Sequence, residues 1–173
     1  MRRIYESEAL RRDDDDPFSP NESDTADGSH VNWTNVSHAL FPSSLRARAI
    51  AVDVETDKSR YAPDEPVRFQ ATFRNRLPLP VSLVTETPLR WTWTVDGLPE
   101  ASEVYEPPEP KRTRFDFARS ERKRFHRRWP QRIREREDEW RAADPGEHTI
   151  TVRIGAVDGA DHLVAEETFT VER

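Results

Sequence analysis

Apolar and polar residues alternate with a period of two through most of the chain after residue 45, the signature of strands that bury one face. In residues 90–97, Trp91, Trp93 and Val95 alternate with Arg90, Thr92 and Thr94 before Asp96-Gly97 turns the chain. Two indoles on one strand face bring a large apolar area that a second layer must cover. The longest unbroken alternation sets Val67, Phe69, Ala71 and Phe73 against Arg68, Gln70, Thr72 and Arg74. Similar runs are Ile50, Val52 and Val54, then residues 81–84, then Ile150, Val152 and Ile154, then Leu163, Ala165, Phe169 and Val171. Residues 114–117 and 122–129 also read as strands, with Phe125 and Trp129 on one side. Residues 98–110 hold four prolines and predict a long exposed loop. Residues 131–141 suggest a short helix or charged loop, because Ile133, Glu137 and Trp140 fall at helical spacing. Seven or eight short strands without a long helix predict an all-β fold, an antiparallel β-sandwich whose core includes Phe69, Phe73, Trp91, Trp93, Ile150 and Val152.

Residues 1–44 show neither period. Asp13, Asp14, Asp15 and Asp16 are followed by Pro17, Pro20, Gly28 and many small polar residues, so this stretch predicts an acidic arm that is disordered or held by a partner. Ile4, Tyr5, Leu10 and Phe18 make a candidate N-terminal anchor, and Val31, Trp33, Val36, Leu40 and Phe41 a second one; the alternative is a solvated tail with incidental hydrophobes. The domain division is therefore an arm over 1–44 and a sandwich over 45–173, with a basic insertion-like segment at 111–136.

Composition narrows the chemistry. Apolar residues make up 34% and charged residues 35%, so a core is affordable only if it is concentrated in the alternating region. There is no cysteine, which removes disulfides, thiolate metal sites and a cysteine nucleophile. The first ten residues contain no apolar signal segment, and no stretch has the apolar length of a membrane span, so a cytoplasmic protein with no membrane contact is expected. The five histidines fall in no motif that would pair them with a nucleophile and a carboxylate. Neither a glycine-rich phosphate loop nor the spaced ligands of a calcium loop is present. The expectation is a protein that is not an enzyme and uses no cofactor and no metal.

Charge is strongly segregated. Of 27 basic residues only Lys58, Lys111 and Lys123 are lysine, and residues 111–136 carry twelve basic side chains against Asp116, Glu121 and Glu135 in a chain of net charge −6. This arginine-rich, lysine-poor composition resembles that of haloarchaeal proteins; a GC-rich genome would produce it equally. Within the segment Arg112, Arg114, Arg119, Arg122, Lys123, Arg124, Arg127, Arg128 and Arg132 form a candidate basic binding surface. Interleaved with Phe115, Phe125 and Trp129, they have the chemistry of an RNA contact, guanidiniums for phosphates and rings for bases. The competing reading is that they pair with the chain's own carboxylates, in the acidic arm or among the glutamates of residues 100–109.

The order of several pieces carries a family resemblance. Residues 61–67 (Tyr-Ala-Pro-Asp-Glu-Pro-Val), residues 71–75, the Trp93-Thr94-Val95-Asp96-Gly97 strand end, residues 125–129 and residues 145–150 (Pro-Gly-Glu-His-Thr-Ile) together resemble the immunoglobulin-like BsuPI type, named from an intracellular proteinase inhibitor. With the opening Met-Arg-Arg-Ile-Tyr-Glu-Ser, the whole chain is similar to an uncharacterised haloarchaeal family. The resemblance implies an immunoglobulin-like sandwich and does not fix an activity. Where such domains commonly have an Asp-x-Gly-x-Tyr corner, this chain has Asp144-Pro145-Gly146-Glu147-His148, and a structural role for His148 is implied. The functional expectation is a non-enzymatic protein-interaction module with a protein partner. The alternatives are association with RNA or the ribosome through residues 111–136, and proteinase inhibition through the loop at 98–110.

Overall fold

The computed structural model describes residues 42–173. The candidate anchor residues Ile4, Tyr5, Leu10 and Phe18, and the second group at Val31, Trp33, Val36, Leu40 and Phe41, lie outside the described residues. The described elements in chain order are α1 (Ser43–Ala49), β1 (Ile50–Thr56), β2 (Arg60–Tyr61), β3 (Val67–Asn75), β4 (Val81–Thr85), β5 (Thr92–Val95), β6 (Leu98–Pro99), β7 (Thr113–Phe117), β8 (Arg122–Trp129), β9 (Arg132–Arg134), β10 (Trp140–Ala142), β11 (Gly146–Arg153), a single 3-10 turn (Ala160–His162) and β12 (Val164–Val171). Eight of these strands have four or more residues. The seven-residue α1 is too short to show a helical period, and its Ala47 and Ala49 tuck into the core.

Two main sheets face each other as an all-β, immunoglobulin-like antiparallel sandwich. One has the order β1-β3-β8 and the other β2-β12-β11-β5-β6, with a separate β4-β7 pair and a β9-β10 pair. Pairing between the strands is antiparallel except where Arg60 and Tyr61 run parallel to Thr170 and Val171, and an isolated parallel bridge joins Ser102 to Arg134. The alternation in β3 explains its central place: Val67, Phe69, Ala71 and Phe73 are buried while Arg68 and Arg74 are exposed. Phe69, Phe73, Ile150 and Val152 are buried in a single apolar cluster, and Trp91 and Trp93 are half-buried at its edge. The two layers meet through these rings. Trp93 lies 5.2 Å from Phe69, and Trp91 lies 5.6 Å from Phe73 and 5.4 Å from Phe125, measured between centroids. Phe73 also touches Phe115 of β7, at 5.8 Å, which ties the β4-β7 pair to the same core.

Several connections differ from the sequence expectation. The helix or charged loop expected over 131–141 is a β9-β10 hairpin, with Arg141 opposite Ile133 and Trp140 opposite Arg134. The helical spacing misled because Ile133 is buried whereas Glu137 sits in the turn and Trp140 is 51% exposed, so the three never share a face. The loop expected over 98–110 begins as structure: Asp96-Gly97, both at positive φ, make a two-residue hairpin between β5 and β6. A second tight turn follows at Glu100 and Ala101, closed by a 2.9 Å bond from Ser102 N–H to the Pro99 carbonyl. The basic stretch 111–136 supplies β7, β8 and β9, so it is woven into the body and is not inserted into it.

Two buried amides fix the ends of the strands that carry the basic side chains. Asn75, fully buried, donates through Nδ2 to the carbonyls of Leu79 (2.7 Å) and Ala118 (2.9 Å), and its Oδ1 accepts the Leu77 N–H (3.0 Å). It thereby holds the start of β8 against the end of β3. Gln131 does the same at the other end, donating to the carbonyls of Ala62 and Glu65 and accepting the Asp64 N–H.

Candidate functional site

The basic residues do not fall on one surface, because a strand sends successive side chains to opposite faces. On β8, Arg122, Arg124, His126 and Arg128 are exposed on the outer side of the β1-β3-β8 sheet. Lys123, Phe125, Arg127 and Trp129 point the other way. Lys123 bonds Glu121 at 2.7 Å and lies 5.5 Å from the Phe117 ring. The Arg127 guanidinium covers the Trp91 ring at 5.0 Å, closing the open edge of the core with a cation–π contact. Arg112, Arg114 and Arg119 are exposed on or beside β7, and Arg132 stands 3.8 Å from Asp64.

The cross-strand register builds a different basic surface from the one expected. Antiparallel pairing sets Arg128 opposite Arg68, His126 opposite Gln70, Arg124 opposite Thr72 and Arg122 opposite Arg74. Arg68 and Arg74 of β3 thus join Arg122, Arg124 and Arg128 on one outer face, with exposed Arg76 just beyond the end of β3. The charge density that marks residues 111–136 in the sequence does not extend to β3. The polar side of the Val67, Phe69, Ala71, Phe73 alternation is the signal that marks Arg68 and Arg74. On the far strand of the sheet, β1 contributes exposed Asp53 and Glu55, opposite Thr72 and Gln70. The face is therefore a stripe of basic side chains bordered by a narrow acidic edge.

Among the described residues, none of the ion pairs involves Arg68, Arg74, Arg122, Arg124 or Arg128. Of the glutamates of residues 100–109, Glu103 meets Arg141, which also holds Glu135 at 2.7 Å and Asp144 at 3.4 Å. These carboxylates push the Arg141 pKa further up, the Glu135 hydrogen bond contributing most.

The rings that would stack on bases are not on this face. Phe115 and Trp129 are core residues, 2% and 1% exposed, and Phe125 packs inward against Phe73 and Trp91. An exposed aromatic does occur on the β9-β10 hairpin, where the Arg134 guanidinium stands 6.0 Å from the Trp140 ring beside Val104 and Tyr105. Burial, and then the charge of Glu100, raises the Tyr105 phenol.

His148 sits where the resemblance implies a structural ring. It is buried, lies 5.6 Å from Trp129 and 5.9 Å from Phe169, and has Nδ1 2.6 Å from an Asp96 carboxylate oxygen and Nε2 2.7 Å from the Asp144 carbonyl. Asp96 also accepts the Thr149 N–H, so this group ties the β5-β6 turn to β11. Among the described residues no three metal-ligating side chains converge, and no helix is long and apolar enough to cross a membrane.

No curated protein matches the chain in sequence. Among solved structures it is similar to the CARDB domain of the PF1109 protein from Pyrococcus furiosus, solved in complex with di-metal ions, at 12% identity over 70% of this chain and 86% of that one, with a TM-score of 0.43. It is also similar to part of the alkylpurine DNA glycosylase AlkC from Pseudomonas fluorescens, at 14% identity over 72% of this chain and 31% of that one, TM-score 0.43. A third similarity is to part of a β-glucosidase from Listeria innocua, at 11% identity over 72% of this chain and 16% of that one, TM-score 0.41. The sequence profile of a family of unknown function, DUF7974, matches residues 38–172, nearly all of the described sandwich, and the chain belongs to that family.

Proposed function

We propose that this protein is a non-enzymatic, cytoplasmic protein-interaction module whose outer β1-β3-β8 face receives an acidic protein partner. The observation that carries this reading is the set of five exposed arginines, Arg68, Arg74, Arg122, Arg124 and Arg128, on one face of one sheet and outside every ion pair of the described residues. Cross-strand like charges destabilise a sheet, so stability alone gives no reason for setting Arg68 against Arg128 and Arg74 against Arg122. Guanidiniums present a planar fork of donors that suits carboxylates, and a partner's Asp and Glu side chains would relieve the crowding. With Phe115, Phe125 and Trp129 turned inward, contact with RNA would rest on phosphates alone, a purely electrostatic attraction that salt weakens.

The test is affinity purification from the native host at its own ionic strength, recovering protein and RNA together, with the wild type beside an R68E/R124E/R128E variant. Retention of an acidic protein by the wild type and its loss from the variant is the expected result. Recovery of RNA in its place, or a partner set that the variant leaves unchanged, would overturn the reading.

A further inference from the structure

We propose that the partner is added as a strand: an extended segment with a carboxylate at every second position pairs along the open edge of β8. The inference rests on the acidic-partner reading above and specifies how that partner is held. β8 ends its sheet, and its eight residues pair with β3 alone, from Trp129 opposite Val67 to Arg122 opposite Arg74. Among the described residues, no main-chain group of β8 makes a backbone hydrogen bond outside that ladder; the His126 carbonyl accepts from the Arg127 guanidinium at 3.1 Å, a side-chain bond that an added strand would have to displace. An edge strand leaves every second residue with its N–H and C=O directed outward, a ready template for another chain.

Two of the usual guards against such pairing, proline and the β-bulge, are missing. β8 contains no proline, and its register with β3 runs through eight successive pairs without a bulge. It spans about 26 Å at 3.3 Å per residue, long enough for a stable addition. The other sheet ends in β2 and β6, two residues each, which offer nothing comparable. What β8 does carry is charge, and charge of one sign selects as well as guards. A strand about 4.8 Å away would set its outward side chains directly beside Arg122, Arg124, His126 and Arg128. A neutral or basic segment is rejected there and an acidic one drawn in.

The opposite face of the added strand meets different chemistry. Its intervening side chains would lie beside half-buried Phe125 and the Arg127-covered Trp91, so apolar residues fit those positions. The recognised pattern is acidic alternating with apolar. β1 and the part of β12 that β2 leaves uncovered, residues 164–169, present Asp53, Glu55 and Glu166 and repel the same segment.

The experiment uses the full chain and three labelled ten-residue peptides: one alternating Glu and Val, one of the same composition with the five Glu residues contiguous, and the alternating one with every second amide N-methylated. Fluorescence anisotropy reads affinity across a salt series, and amide hydrogen exchange reads protection at β8. The expected result is that the alternating peptide binds at least tenfold more tightly than both others and slows exchange within residues 122–129. Equal binding of all three, abolished by R68E/R124E/R128E, would overturn strand addition while leaving the acidic-partner reading in place. No binding by any peptide, with an RNA oligonucleotide bound instead, would overturn both. β8 amides already protected in the protein alone, through self-association or through the chain's own acidic segment, would likewise overturn the proposal.

Discussion

Arg68 and Arg128 lie directly opposite each other on neighbouring strands, both exposed on the same face, and neither enters an ion pair among the described residues. Opposed like charges cost a sheet a few tenths of a kcal/mol, and opposite charges contribute about 0.2–1 kcal/mol. Arg128→Glu is therefore expected to leave folding stability unchanged or to raise it by up to about 1 kcal/mol. Urea unfolding at low and high salt checks this, with the gain shrinking as salt rises. A clear loss of stability would mean that a carboxylate of the chain itself occupies the face.

Phe73 is surrounded by Trp91, Phe115 and Phe125, from β7, β8 and the approach to β5. Phe73→Ala opens a cavity at that junction and is expected to cost about 3–5 kcal/mol. Trp93→Ala, at a half-buried position, is expected to cost less. Midpoints of urea unfolding followed by far-ultraviolet circular dichroism give the ordering.

Asn75 satisfies three main-chain groups from two separate loops without access to water. Asn75→Ala leaves the Leu79 and Ala118 carbonyls and the Leu77 N–H without this partner, at a cost of about 2–4 kcal/mol in total. Because the same amide sets where β8 begins, the variant should also speed hydrogen exchange at residues 118–122. Exchange unchanged there, with stability lost, would separate the packing role from the positioning role.

The Tyr61 phenol is buried, donates to Asp57, and has its pKa pushed up from 10.0 to about 12, by burial first and the Asp57 hydrogen bond second. In the unfolded chain it ionises near 10, so between about pH 10 and pH 12 the unfolded state holds fewer protons than the native state. Stability is whole below that window and falls as pH rises through it. Tyr61→Phe should be less stable than the wild type near neutral pH, yet lose less of its stability across the window. Unfolding midpoints for both proteins on either side of the window measure the difference.

Much of the body was legible because alternation and burial coincide in β1, β3 and β11: Val67, Phe69, Ala71 and Phe73 declare their inward face without help from the rest of the chain. The Trp91 and Trp93 strand was equally plain, although its rings are half-covered, because the facing sheet offers Phe69 and Phe73 and then ends at Arg127. The β9-β10 hairpin was hidden because three-residue strands are shorter than the window needed to tell one period from another. The basic face was half visible. Charge density pointed to β8, but the contributions of Arg68 and Arg74 depend on strand pairing, a relation between residues far apart in the chain, Arg68 with Arg128 and Arg74 with Arg122, that no local pattern contains.

The placement of Phe125 and Trp129 on one side of β8 and of Arg122, Arg124 and Arg128 on the other also limits how this chain can change over evolutionary time. A single residue gained or lost inside residues 122–129 would turn the strand over, sending three cationic groups into the oily interior and putting Trp129 and Phe125 in water. Length variants of this strand among relatives should therefore differ by even steps, or else carry a compensating bulge.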